Sequence, residues 1–112
     1  MKQERLIKAQ SISKKIISEY IISQLRELTS IHGIITVTQI EISNDLSYMD
    51  VHVSCMLKIE SLTKELSEHA HQLQRKLGKE MAFIKVPKIR FRYDESGENS
   101  SHIYNTIKNL NT

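Results

Sequence analysis

The sequence predicts one α+β domain in the order helix, strand, strand, helix (divisible in two), strand, with a three-stranded mixed sheet covered by helices on one face. Three observations carry this. Apolar residues recur at spacings of three and four over residues 3–28 and again over residues 62–81, the signature of amphipathic helices. Met49 to Ile59 alternates apolar and polar residues, as a strand with one buried face must. Pro87 then closes the second helical pattern and opens the run KIRFRY, in which Ile89, Phe91 and Tyr93 share one parity and Lys88, Arg90 and Arg92 the other.

The first helix is expected from Gln3 to Leu28, with Leu6, Ala9, Ile12, Ile16, Tyr20, Ile21, Leu25 and Leu28 on its apolar stripe. Thr29, Ser30, His32 and Gly33 follow where the pattern stops, and Gly33 supplies the positive φ that ends helices or opens loops. Ile34 to Ile42 is rich in β-branched residues, but its apolar face changes phase between Ile35 and Val37 on one side and Ile40 and Ile42 on the other. A bulge, or burial of both faces, reconciles the two halves. Ser43, Asn44 and Asp45 make a turn of short side chains that bond back to the backbone.

The second strand is expected over Met49–Ile59, with Met49, Val51, Val53, Cys55, Leu57 and Ile59 inward. Ser61 is placed as the N-cap of the next helix. Leu62, Leu66, Ala70, Leu73, Leu77 and Met81 form its stripe, and the helix finishes by about Ala82 because Pro87 disfavours helix before it. A strand over Lys88–Tyr93 completes a domain spanning residues 1–94. Residues 95–112 form a polar tail in which Ile103, Tyr104, Ile107 and Leu110 mark a short terminal helix.

A chain of 112 residues accommodates one modest core and no second domain. With 39% apolar and 26% charged residues the composition is that of a globular protein, and no apolar run approaches the ~20 residues that cross a bilayer. The start, MKQERLIKAQ, enters a charged helical pattern without a secretory hydrophobic region, which points to a cytoplasmic protein. The lone Cys55 forms no internal disulfide and reads as a small buried hydrophobe.

A net charge of +3 is weak evidence for an anionic partner; its distribution is stronger. Arg75, Lys76, Lys79, Lys85, Lys88, Arg90 and Arg92 meet only one acid, Glu80, between residues 75 and 92. Cations on one strand face stand about 6–7 Å apart, comparable with successive phosphates. The same pattern also protects an exposed edge strand from aggregation, so charge alone leaves phosphate binding and a bland surface both open.

The element order and three blocks resemble the ribosome-binding factor A family. The blocks are VTQIEISNDLSYMDVHVS (37–54), LGKEM (77–81) and VPKIRFRYDES (86–96), with SHIYNTI following where the family's terminal segment begins. The resemblance implies a type II KH-like fold. It also implies a non-enzymatic factor that binds the small ribosomal subunit and its rRNA, assists late maturation and five-prime-end processing, and matters most in the cold. In that light Arg75, Lys76, Lys79, Lys85, Lys88, Arg90 and Arg92 become the expected RNA-binding set. The family kinks its long helix at an Ala-x-Gly, where RNA-binding KH domains carry a Gly-x-x-Gly loop. The matching positions here are His69, Ala70 and His71, so the helix is expected to be straighter or to kink one or two residues away.

Other chemistry finds little footing. Asp94 and Glu95 are adjacent in a turn, and Ser100, Ser101 and His102 lie in the polar tail, so no nucleophile with its base stands out. His69 and His71 sit about 200° apart on a helix, and His52 and Cys55 point to opposite strand faces, so no metal site is expected. Phe91 and Tyr93 are assigned to the core, leaving no aromatic stacking motif for RNA. The chain is expected to act as a monomer, without cofactor, small-molecule substrate or membrane. The competing expectations are a protein-interaction module and a general KH-like RNA binder not dedicated to ribosomes.

Overall fold

The computed structural model describes residues 3–81 and 85–95. Its elements are α1 (Gln3–Gln24), α2 (Arg26–His32), β1 (Thr36–Ile42), β2 (Tyr48–Ser54), α3 (Ile59–Ser67), α4 (Ala70–Glu80) and β3 (Lys88–Tyr93). The strands lie in the order β1-β2-β3, with β1 antiparallel to β2 and β2 parallel to β3. A parallel pair needs a long crossover, and α3 with α4 provides it. The terminal helix expected around Ile103, Tyr104, Ile107 and Leu110 lies outside the described residues.

The core is one layer between the sheet and the helices. Val37, Ile40 and Ile42 of β1, Met49, Val51 and Val53 of β2, and Ile89 and Phe91 of β3 are buried against Ile17, Ile21, Leu62, Leu66, Leu73 and Leu77. The opposite sheet face is open: Glu41, Tyr48, Lys88 and Arg92 are exposed on it.

The apolar phase change in β1 is a bulge. Val37 pairs with Val53 but Gln39 with His52, so Thr38 is an extra residue. Its hydroxyl bonds the His52 carbonyl at 3.2 Å and the Asp94 carboxylate at 2.5 Å. The β1–β2 turn closes as Ser43, Asn44 and Asp45 suggested: Asp45 Oδ1 accepts from the Ser47 amide at 3.0 Å and the Ser43 hydroxyl at 2.9 Å. These bonds, the Ser47 amide foremost, hold the Asp45 carboxyl below the usual carboxylate range.

Four local expectations need correction. The first helix breaks at Leu25 (φ −114°, ψ 49°) and resumes to His32; the Leu28 and Thr29 amides both turn to the Leu25 carbonyl, at 3.1 and 3.3 Å. Its stripe buries Ser13, whose hydroxyl donates to Met81 Sδ at 3.2 Å, while Ile12 is 41% exposed. Strand β2 stops at Ser54 because the Met56 and Leu57 amides bond the His32 carbonyl at 3.1 and 2.9 Å, drawing the chain off the sheet onto the end of α2. Leu57 is therefore exposed and Ile59 opens α3. Finally, Lys58 (φ 51°) precedes α3, and Ser61 lies inside the first turn with its hydroxyl returning to the Lys58 carbonyl at 3.3 Å.

Candidate nucleic-acid interface

β3 is an edge strand whose position follows from Pro87, which is buried, cannot donate to a ladder and delivers the chain in extended form. The Lys88 amide bonds the Ser47 carbonyl at 2.9 Å and the Asp94 amide the Val53 carbonyl at 2.7 Å. Even-numbered amides therefore face β2, and those of Ile89 and Phe91 face away from it. The Ile89 amide donates to Gln74 Oε1 of α4 at 3.0 Å. Between this edge and the α3–α4 junction lies a groove of about 820 Å³, lined among others by Ala70, His71, Gln74, Lys85, Lys88 and Arg92.

The junction is a helix break that needs no glycine. α3 ends at Ser67 and α4 starts at Ala70. The Glu68 and His69 amides bond back three residues, to Glu65 and Leu66 carbonyls at 3.3 and 2.9 Å, the tightening that commonly ends a helix. His69 (φ −105°, ψ 4°) stands at the break, with Ala70 and His71 just after it facing the groove.

On the open face, register sets Tyr48 beside Lys88, Asp50 beside Arg90 and His52 beside Arg92. Arg90 is not a bare cation. Its Nε donates to Asp50 Oδ1 at 2.7 Å and its Nη2 to Oδ2 at 3.2 Å, a bidentate pair. The hydrogen bond to Asp50 holds the guanidinium even further from deprotonation. Its central carbon lies 4.1 Å from the Tyr48 ring centroid. Asp50 Oδ1 is also 3.9 Å from Arg92 Nε, and His52 Nε2 is 2.8 Å from Glu41 Oε1. β3 alone is wholly basic, but the sheet face as a whole mixes signs.

The seven expected RNA-binding cations fall into two groups. Lys85, Lys88, Arg90 and Arg92 share the β3 groove. Arg75, Lys76 and Lys79 line a separate hollow of about 330 Å³ beyond the crest of α4. That side of α4 meets α1 through the Tyr20 hydroxyl, which donates to Gln72 at 3.4 Å. Lys76 is 2.7 Å from Glu80, one helical turn on, which raises its ammonium pKa. Among the described residues Lys85 and Lys88 make no ion pair.

Sequence reasoning missed Tyr48 and Asp50. Both sit in β2, and their relevance depends on which β3 residue the register sets beside them. Cys55 is buried as expected. Among the described residues no group of three or more His, Cys, Asp or Glu is placed to hold a metal, and no helix is long and apolar enough to cross a membrane.

An α+β domain of type II KH-like order, with a cationic groove along its edge strand, is the class of protein these elements define. The family model for ribosome-binding factor A matches residues 3–107. The chain is 29% identical to ribosome-binding factor A of Finegoldia magna over 98% of its own length and 93% of that protein's. For the Halothermothrix orenii protein the figures are 34%, 98% and 91%. The crystal structure of ribosome-binding factor A from Thermus thermophilus superposes with a TM-score of 0.71 at 19% identity, covering 79% of this chain and 94% of that one. A homology model of the Thermus thermophilus factor, fitted into a cryo-electron-microscopy map of a 30S complex, gives 0.64 at 20% identity, covering 77% and 91%. The chain belongs to the ribosome-binding factor A family.

Proposed function

We propose that this chain is a cytoplasmic, non-enzymatic assembly factor that binds the small ribosomal subunit through its rRNA. Family membership and the Thermus thermophilus factor's 30S complex support the partner. The observation that carries the mode of binding is the groove where Lys85, Lys88 and Arg92 converge beside an edge strand. Lysine and arginine here serve phosphates, giving affinity and orientation with little reading of bases. Late maturation, processing of the rRNA five-prime end and a greater need in the cold belong to the same reading. His69, Ala70 and His71 would set the width of the groove, and Arg75, Lys76 and Lys79 would form a second, weaker contact surface.

The test is cosedimentation with separated subunits and their precursors. A Lys85→Glu, Lys88→Glu, Arg92→Glu variant leaves the Arg90–Asp50 pair intact and is expected to lose preferential binding to immature small subunits at moderate salt. Unchanged binding would sink the proposal. A protein-interaction module is the competing reading, favoured by an exposed apolar patch in which Ile22 and Ile34, each 68% exposed, line a hollow of about 450 Å³. Salt-dependent binding of naked rRNA separates the two, because counterion release belongs to phosphate contacts. A general RNA binder would take unrelated RNA equally well.

A further inference from the structure

We infer that Tyr48, Arg90 and Asp50 form a stacking site for one unpaired RNA base, with the Arg90 guanidinium plane as the platform. The inference rests on the proposed RNA binding and adds a ligand feature to it: a single-stranded stretch, not only a phosphate backbone.

Arg90 differs from its neighbours on β3. Its Nε and Nη2, the side of the guanidinium that would fork a phosphate, are taken by the two oxygens of Asp50 at 2.7 and 3.2 Å. The Asp50 charge cancels much of the attraction a phosphate would feel there, and its oxygens would repel one. Arg90 is therefore the poorest phosphate ligand of the three cations on this strand face. A plane needs no net charge to stack. The central carbon of the guanidinium lies over the Tyr48 ring, 4.1 Å from its centroid, while the side chain keeps 41% of its surface exposed.

The bidentate bond fixes the plane, so a base landing on the exposed side finds the platform already ordered. Lys88 and Arg92, two residues to either side on the same strand face, stand about 6–7 Å away along the strand. They are placed for the phosphates flanking a base seated on Arg90. Bases inside a duplex present no free face, so the ligand is a loop, bulge or end. Tyr48 is 41% exposed and outside the hydrophobic core, so its removal takes away the contact with Arg90 and leaves the core packing unchanged.

The test is fluorescence titration with a single-stranded RNA decamer carrying one 2-aminopurine, beside a duplex of the same sequence, over a range of salt. Wild-type protein is expected to quench the probe. Tyr48→Ala and Arg90→Lys should each weaken single-strand binding about tenfold. Both should leave duplex affinity and the salt slope unchanged, and Tyr48→Phe should bind as wild type. If Tyr48→Ala and Arg90→Lys bind the single strand as tightly as wild type while Lys88→Glu binds weakly, the stacking site is wrong and the phosphate groove stands. If wild type binds neither RNA, the RNA-binding reading fails and this inference falls with it. A flatter salt slope in Arg90→Gln, which removes the charge that lysine would keep, would make Arg90 a phosphate ligand and overturn the stacking role.

Discussion

The imidazole of His32 and the carboxylate of Glu65 meet at 3.0 Å, Nε2 to Oε1, tying the end of α2 to the last turn of α3. The His32 side chain has no exposed surface, whereas 28% of Glu65 remains accessible. Nδ1 lies 3.0 Å from the Leu57 carbonyl, which can only accept, so Nδ1 carries a hydrogen and donates. His32 thus anchors the chain where it leaves β2 through its ring and through its own carbonyl, which takes the Met56 and Leu57 amides.

That pair makes stability depend on acid. The hydrogen bond from His32, then one from Ser61, holds the Glu65 carboxyl below its ordinary value of 4.5. A folded value below the unfolded one gives stability that is complete above the ordinary value and is lost as pH falls through the lowered one. Thermal melts of wild type should fall along this acid limb, and Glu65→Gln should flatten it while lowering stability at neutral pH. His32→Ala, which removes two part-buried hydrogen bonds and leaves a cavity where a fully buried ring stood, should cost about 2–4 kcal/mol in urea denaturation at pH 7.

Two glycines should respond to alanine with opposite signs. Gly33 ends α2 at φ 76°, ψ −152°, and an added Cβ would stand 3.3 Å from Met56 Cβ. Glycine alone occupies that region readily, so Gly33→Ala should destabilise by about 1–3 kcal/mol. Gly78 lies within α4, and its added Cβ would meet Val86 Cγ2 at 3.2 Å. Helix propensity gains up to about 1 kcal/mol there. Val86 is 38% exposed and offers only a terminal methyl, so it can yield, and Gly78→Ala should raise the melting temperature slightly. Calorimetry of the two variants checks both; a lower melting temperature for Gly78→Ala would mean that Val86 is held rigidly.

The sheet was largely legible in the sequence because strand parity is a local property. Lys88–Tyr93 needed only its alternation and Pro87, and the β1 bulge announced itself as a change of phase between Val37 and Ile40. The end of β2 was not legible. Cys55, Leu57 and Ile59 continue the alternation, and what stops the strand is the His32 carbonyl, more than twenty residues earlier in the chain. The candidate site divided in the same way. The β3 cations could be read as one face, but Asp50 neutralises Arg90 through cross-strand register. Arg75 and Lys79 leave the groove because α4 turns them past its crest toward α1, a rotation that sequence spacing shows only once the core-facing leucines are known.

On each open edge of the sheet a glutamine side chain takes one backbone amide. Gln10 of α1 accepts from the Ile42 amide at 2.9 Å on β1, and Gln74 of α4 accepts from the Ile89 amide at 3.0 Å on β3. A strand edge with unpaired amides is a template for another strand, and a covering side chain removes one donor from it. Each bond is worth about 1 kcal/mol, so Gln10→Ala and Gln74→Ala should each lower stability by about that amount. Their effects should add, since the two sites lie on opposite edges. The variants should differ in self-association. The β1 edge remains shielded by α1, where Lys14 Nζ also reaches the Thr38 carbonyl at 3.3 Å. The β3 edge opens into the groove. Sedimentation velocity across a concentration series should show Gln74→Ala associating and Gln10→Ala remaining as wild type; equal behaviour of the two would mean that the groove cations alone keep the β3 edge apart.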